Sequence, residues 1–257
     1  MWALRRGDRV AATARKLAML DDLLQRYGDS VLPLTLDVND SAAVAVAVDT
    51  ATTRFGGLDV VVNNAGYGLF GAVEELDLDD LRAQFETNVI GALSVTQAVL
   101  PTLRHQGSGH IVQISSTGGI GAFPTLGGYN APKWALEALS ESLAQELVGT
   151  GVSVTIVEPS GFATDWGGPS AARPEPLPQY DDARAGMNEY HRTASPGDPV
   201  AAAEALLRVL DAEQPPLRVL FGAGMVEFVE QLYADRLDGW RAWRDVTEIA
   251  GRTPDRW

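Results

Sequence analysis

Ile111-Val112-Gln113-Ile114-Ser115-Ser116 is the stretch from which the rest of the chain can be read. It is a short β-branched run that closes on two hydroxyls, and a helix-period stretch beginning at Tyr129 follows it. Short apolar runs alternating with helical stretches mark a parallel sheet covered on both faces. Working outward, strands are expected at Arg9–Thr13, Val31–Leu36, Leu58–Asn63, His110–Ser115, Ser153–Glu158 and Leu217–Phe221. Helices are expected at Lys16–Tyr27, Ser41–Phe55, Asp79–Arg104, Tyr129–Val148 and Pro199–Asp211. Glycines at Gly56-Gly57, Gly107 to Gly109 and Gly149 to Gly151 supply the left-handed caps that end such helices. The expected fold class is α/β: a doubly wound parallel sheet in three α/β/α layers, held in a single domain over 1–257.

Two segments stand outside this alternation. From Thr164 to Pro199 the pattern breaks into prolines, glycines and scattered aromatics. A long irregular segment directly after a strand end reads as a substrate lid, placed here at 165–199. Glu227–Asp245, with Tyr233, Trp240 and Trp243, reads as an amphipathic helix that covers a pocket, joins a partner subunit or packs on the core.

Composition narrows the function. The formal charge of −14 and the pI near 4.5 argue against nucleic-acid and anionic-membrane partners, because the long-range field repels polyanions. With no cysteine there are no disulfides, thiolate metal sites or cysteine nucleophiles. The three histidines, His105, His110 and His191, lack metal-ligand spacing, so no metal is expected. Charges at Arg5 and Arg6 fall where a secretory signal would be apolar. Thr87 to Leu103 contains Asn88, Thr96 and Gln97 and reads as a buried or interface helix rather than a membrane span. The expected compartment is the cytoplasm.

The chemistry centres on Tyr129-Asn130-Ala131-Pro132-Lys133, which puts a phenol and an ammonium four residues apart on one helix face. A nearby positive charge favours the ionised phenol, which can then exchange a proton with an alcohol or carbonyl. Three successive strand ends surround this helix with small or polar turns. They are Asn63-Asn64-Ala65-Gly66, Ser115-Ser116 and Pro159-Ser160-Gly161-Phe162-Ala163-Thr164. Strand alternation sends Ser115 to the opposite face from Ser116, so Ser116 is the expected site hydroxyl.

In order and spacing these motifs resemble the short-chain dehydrogenase/reductases. The resemblance runs from about Arg9 to Thr164 and includes Asn88 and a serine thirteen positions before the tyrosine. It implies a Rossmann-type fold that works as a homodimer or homotetramer. It also implies hydride transfer between a nicotinamide cofactor and a carbonyl or secondary alcohol. By the same resemblance Tyr129 is the general acid/base and Ser116 hydrogen-bonds the substrate oxygen. Lys133 lowers the tyrosine pKa and holds the nicotinamide ribose, and Asn88 holds a water that links Lys133 to solvent. Cofactor contacts fall on Asp37 and Val38 at the adenine and on Asn64, Ala65 and Gly66 along the adenosine ribose. Pro159, Gly161, Phe162 and Thr164 take the nicotinamide and phosphate side. Arg15, beside Lys16, suits the 2′-phosphate of NADP(H) better than the 2′-hydroxyl of NAD(H). The expected substrate is small and hydrophobic, roofed by Trp166, Tyr180, Met187 and Tyr190 and walled by Tyr67, Leu69, Phe70, Phe123 and Leu126.

One part of the pattern is not found. The glycine-rich phosphate turn belongs roughly twenty residues before the ribose-recognition position, and counting back from Arg15 passes Met1. The first strand, expected between Arg9–Thr13 and Leu58–Asn63, would go with it. The expectation is that Met1 is an internal methionine of a longer chain. Two other readings stay open: a non-catalytic dinucleotide-binding protein or inactive fragment, and a nucleotide-sugar epimerase or dehydratase.

Overall fold

The computed structural model describes residues 2–168, 171–193 and 195–252, without the side chains at 190, 191 and 193. The chain forms two compact units, Met1–Phe221 and Gly222–Trp257. In the first unit a short helix, α1 (Trp2–Arg5), leads into β1 (Val10–Ala14), α2 (Asp21–Tyr27) and β2 (Val31–Thr35). There follow α3 (Ser41–Phe55), β3 (Val60–Asn63), α4 (Leu78–Phe85), α5 (Ala92–Gln106) and β4 (Gly109–Ile114). The unit closes with α6 (Gly127–Glu146), β5 (Val152–Pro159), α7 (Asp181–Thr193), α8 (Pro199–Leu210) and β6 (Arg218–Phe221). The second unit carries α9 (Met225–Ala242) and α10 (Arg244–Ala250), which break the single helix expected over Glu227–Asp245 near Trp243.

Every observed strand pair is parallel, with β1 beside β2 and the order β3-β4-β5-β6 in the larger sheet. Registers such as Ile111↔Val154 and Ile156↔Arg218 align the carboxyl ends of the strands, where open α/β sheets bind ligands. Alternation of side chains along the strands builds the layers. Ile111 and Val154 pack with Val99, Leu103 and Leu147 toward α5 and α6. Val112 and Val157 point the other way and pack with Ala202, Ala205 and Leu206 of α8. The three-layer α/β/α arrangement is therefore present across β4 and β5.

The sheet is not continuous. β1 and β3 do not pair with each other, and a cavity of about 340 Å³ lies between them. Ala11, Thr13, Leu34 and Leu36 line one side of it and Val60 to Ala65 the other, with Val44, Ala47, Val95 and Val99 from the helices. This is the place where a further strand was expected.

Local chemistry explains the helix ends. Asp40 accepts from Ala43 N at 3.0 Å to start α3, and Gly56, at φ 81, ends it in the left-handed region. Asp198 does the same for α8 at Val200 N, 2.8 Å away, with Pro199 at the first helical position. Three expectations shift. The expected helix over Lys16–Tyr27 opens with a 3₁₀ turn at Leu17–Leu20. The long helix expected over Asp79–Arg104 is α4 and α5 joined by a π-helical segment, Glu86–Gly91. The expected lid is helical in its second half, where α7 follows Pro178 and begins on Asp181 and Asp182. Acidic residues there suit the positive end of the helix dipole.

Candidate active site

Tyr129 and Lys133 lie one turn apart on α6, at 8% and 5% exposure. β4 ends just before Ser115 and Ser116, and these two hydroxyls diverge as alternation requires. Ser116 Oγ accepts from Gly118 N at 3.0 Å, capping the turn Thr117–Gly119, and hydrogen-bonds the Tyr129 phenol. It also reaches Pro159 O at 3.4 Å, which ties the ends of β4 and β5 together. Ser115 turns away, to the Glu137 carboxylate.

Burial sets the two titrating groups. The Tyr129 phenol is pushed up to about 12, because its charged form would be desolvated; the Ser116 hydrogen bond works against this and loses. Burial pulls the Lys133 ammonium down to about 8, with Glu137 opposing. This differs from the expected lowering of the phenol by Lys133. The ammonium lies 5.8 Å from the tyrosine ring centroid and donates to Ile114 O at 2.7 Å.

Asn88 sits in the π-helical segment, 1% exposed. Its Nδ2 donates to Gln84 Oε1 at 2.6 Å and to Tyr67 O at 3.5 Å. Among the described residues its buried Oδ1 has no hydrogen bond. A Cβ on Gly66 would fall 2.5 Å from that oxygen and 3.8 Å from Lys133 Nζ, so glycine keeps a polar recess open between them. π-Helical turns are frequent at functional sites because they re-aim side chains within a helix. Gln84, itself fully buried, was not singled out by the sequence reading, yet it fixes the Asn88 amide.

The lid reaches this site through Trp166. Its ring meets Tyr129 edge-on at 4.7 Å and Phe70 at 5.1 Å, and the Arg173 guanidinium lies 4.5 Å over Phe70. Glu75 anchors the lid: its carboxylate accepts from Leu177 N at 2.7 Å and from Arg184 of α7 at 2.6 Å. Tyr180 is drawn to Glu74, 2.5 Å from its hydroxyl. Leu69 and Leu126 are buried, and Tyr67, Phe70, Phe123 and Met187 are partly so. The expected roof residue Tyr190 lies outside the described side chains.

The remaining cofactor candidates are spread along the strand ends. Arg15 is exposed after β1, and Asp37, also exposed, accepts from Asn39 N at 3.0 Å. Val38 packs against Gly91, where a Cβ would come within 2.6 Å of it. Asn64, Ala65 and Gly66 are exposed beyond β3. Gly161 and Phe162 exchange a bridge with Gly197, and Thr164 Oγ1 accepts from Trp166 N at 3.4 Å. Thr164 thus holds the lid turn that carries Trp166. Among the described residues no group of three or more His, Asp or Glu could hold a metal ion, and no helix is long and apolar enough to cross a membrane.

A family profile described as short chain dehydrogenase matches residues 3–174. The chain is 41% identical over 249 residues to the oxidoreductase BOA17 of Botryotinia fuckeliana, covering 95% of this chain and 91% of that one. Among solved structures it superposes on a short-chain dehydrogenase from Streptomyces avermitilis with a TM-score of 0.91 at 38% identity, covering 97% and 91% of the two chains. An alcohol dehydrogenase from Thermococcus sibiricus, complexed with 5-hydroxy-NADP, gives a TM-score of 0.70 at 26% identity over 85% of this chain and 87% of that one.

Proposed function

We propose, from the premise that this chain belongs to the short-chain dehydrogenase/reductase family and is an NAD(P)-dependent oxidoreductase, that it transfers a hydride between NADP(H) and the carbonyl or secondary alcohol of a small hydrophobic substrate. The observation that carries this reading is the meeting of Ser116, Tyr129 and Lys133 beneath the Trp166 and Phe70 rings.

In the reductive direction the Tyr129 phenol donates its proton to the carbonyl oxygen. A phenol held up near 12 is fully protonated at neutral pH and so is ready as the acid. Ser116 donates a hydrogen bond to the same oxygen and stabilises the charge that gathers on it. Lys133, charged below about pH 8, favours the phenolate left behind. A proton passed from Lys133 restores the Tyr129 phenol, and Asn88, with its Oδ1 beside the Gly66 recess, orients a water through which Lys133 regains that proton from solvent. Trp166, Phe70 and Leu69 exclude bulk water and supply apolar surface to an aromatic or aliphatic substrate.

The bound nicotinamide supplies the hydride. The fit of this group is best at its nicotinamide ribose, where Lys133 and the Gly66 recess offer a donor and room. Pro159, Gly161, Phe162 and Thr164 would take the carboxamide and phosphate side, Asn64, Ala65 and Gly66 the adenosine ribose, and Asp37 and Val38 the adenine. Exposed Arg15 would take the 2′-phosphate, and the NADP-type ligand of the Thermococcus sibiricus relative supports that preference. A homodimer or homotetramer in the cytoplasm belongs to the same reading. Exposed Ile90 and Leu139 are apolar surface that subunit contact would cover.

Oxidation of NADPH followed across a panel of hydrophobic aldehydes and ketones tests this function. Turnover is expected with NADPH and much less with NADH. Cofactor binding without turnover on any member would point instead to a dinucleotide sensor.

A further inference from the structure

Behind the Tyr129 and Lys133 face, α6 runs one more turn to Glu137, which is 4% exposed. Arg218 of β6 donates to Glu137 Oε2 from Nε at 3.1 Å and to Glu141 Oε2 from Nη2 at 2.8 Å. The same Nε lies 3.4 Å from Glu158 Oε1, on a side chain 3% exposed near the end of β5. A Cβ at position 119 would fall 2.6 Å from Ser115 Oγ and 3.0 Å from Glu137 Cγ, so Gly119 leaves the space in which serine and carboxylate meet. Ser115 Oγ, Glu137 Oε1 and Glu158 Oε1 are buried without a well-formed hydrogen bond among the described residues. The groups facing Glu137 are thus Lys133 and Glu141 from its own helix, Ser115 from the end of β4, Glu158 from β5 and Arg218 from β6.

Two buried carboxylates sharing one guanidinium cannot both be well compensated. Burial raises the Glu137 carboxyl, and Glu158 is pushed up to about 7 by burial first and then by the Glu137 charge. Arg218 opposes both shifts. Near neutrality the pair therefore retains part of a proton, and the titration belongs to the cluster rather than to either residue. On its other side Glu137 favours the charged form of Lys133, which burial disfavours.

We propose that Glu137, Arg218 and Glu158 form a buried carboxylate–guanidinium cluster that fixes the position and charge of Lys133 from behind, with Glu137 as the positioning residue. Its catalytic consequence rests on the hydride-transfer reading above; its effect on Lys133 does not. Arg218 acts by holding the Glu137 carboxylate in place, and Glu158 competes for the same guanidinium. Ser115, which the reaction leaves unused, serves the same carboxylate.

The test compares wild type with Glu137→Gln, Glu137→Asp and Glu158→Gln, reading both kcat/KM and melting temperature against pH. Lys133 has a folded pKa near 8, below its ordinary 10.5, so stability is expected to rise with pH between these values as the buried charge is lost. In Glu137→Gln that rise, and the alkaline fall of kcat/KM, should begin about one pH unit lower. kcat at pH 8 should drop about fivefold with the KM for the carbonyl nearly unchanged, and Glu137→Asp should recover most of the shift. A folded Glu137→Gln with both alkaline limbs unmoved overturns the proposal. Glu158 carries a second test should that variant not fold. Its folded pKa of about 7 exceeds its ordinary 4.5, so its contribution to stability is full below 4.5 and lost as pH rises through 7. Wild-type melting temperature should fall across that window, and Glu158→Gln should flatten the fall. An undiminished slope in Glu158→Gln overturns the cluster. The predicted melting profiles without any turnover by wild type would uphold the cluster and refute the hydride-transfer reading.

Discussion

β4 and β5 are each paired on both edges and are buried along most of their length, whereas β1 and β3 pair on one edge only. Across the cavity between β1 and β3, Val60 and Val62 are 37% and 44% exposed, while Ile111, Val112 and Ile156 are at 0%. Parallel strands depend on cover over both faces and on complete backbone pairing, so one side of this molecule is fully packed and the other is not. The candidate catalytic side chains all stand on the packed side: Ser116 follows β4, and Tyr129 and Lys133 lie on α6. Arg15, Asp37, Val38 and Asn64, the residues assigned to the adenosine end of the cofactor, border the less complete side. On the proposed function the proton chemistry and the nicotinamide end of the cofactor would rest on the packed side, and only the adenosine end on the looser one.

The sharpest way to break this contrast is at Tyr129. Replacing it with Phe should lower kcat by about a thousandfold while NADPH affinity, measured by fluorescence titration, stays within about twofold. A large loss of affinity instead would mean that Tyr129 serves chiefly to hold the cofactor. Next in size is a stability comparison by urea unfolding. Ile111→Ala should cost about 2–5 kcal/mol, because it opens a void in a closed core. Val62→Ala should cost less than about 1 kcal/mol, because that side chain already borders open space. Similar losses would erase the distinction between the two sides. Arg15→Ala should weaken NADPH about tenfold and leave NADH nearly unchanged, as expected for loss of a single 2′-phosphate partner. Equal weakening of both cofactors would remove the assignment. The smallest effect concerns the lid: Glu75→Gln should raise the KM for the carbonyl a few-fold by loosening Leu177 and Arg184, with kcat little altered.

How much of this was legible in the sequence follows from the range of the interactions. β4 and α6 could be read because a β-branched run and a helical period are local signals, and the Tyr129 and Lys133 spacing is local too. α7 was hidden because Pro174, Pro176 and Pro178 precede it and give the whole segment the look of a loop. The π-helical segment at Asn88 was invisible because it is a change of hydrogen-bond register that leaves the apolar pattern intact. The Glu137 to Arg218 contact joins residues 81 positions apart, brought together by the packing of α6 on β5 and the register of β5 against β6. The spacing of Lys133 and Glu137, four residues apart on a buried face, was the one signal available for it. The edge-on contact of Trp166 with Tyr129 brings the lid back onto the strand ends, which no spacing rule predicts.

Hydride transfer is tested most directly by isotope. Wild type and Tyr129→Phe would be given NADPH deuterated at the transferring position of the nicotinamide, together with a hydrophobic aromatic ketone. The products would be read by mass spectrometry and NMR. The account predicts alcohol carrying one deuterium on the former carbonyl carbon with wild type, and about a thousandfold less of it with the variant. Alcohol without deuterium, or a variant that reduces the ketone as fast as wild type, would contradict it.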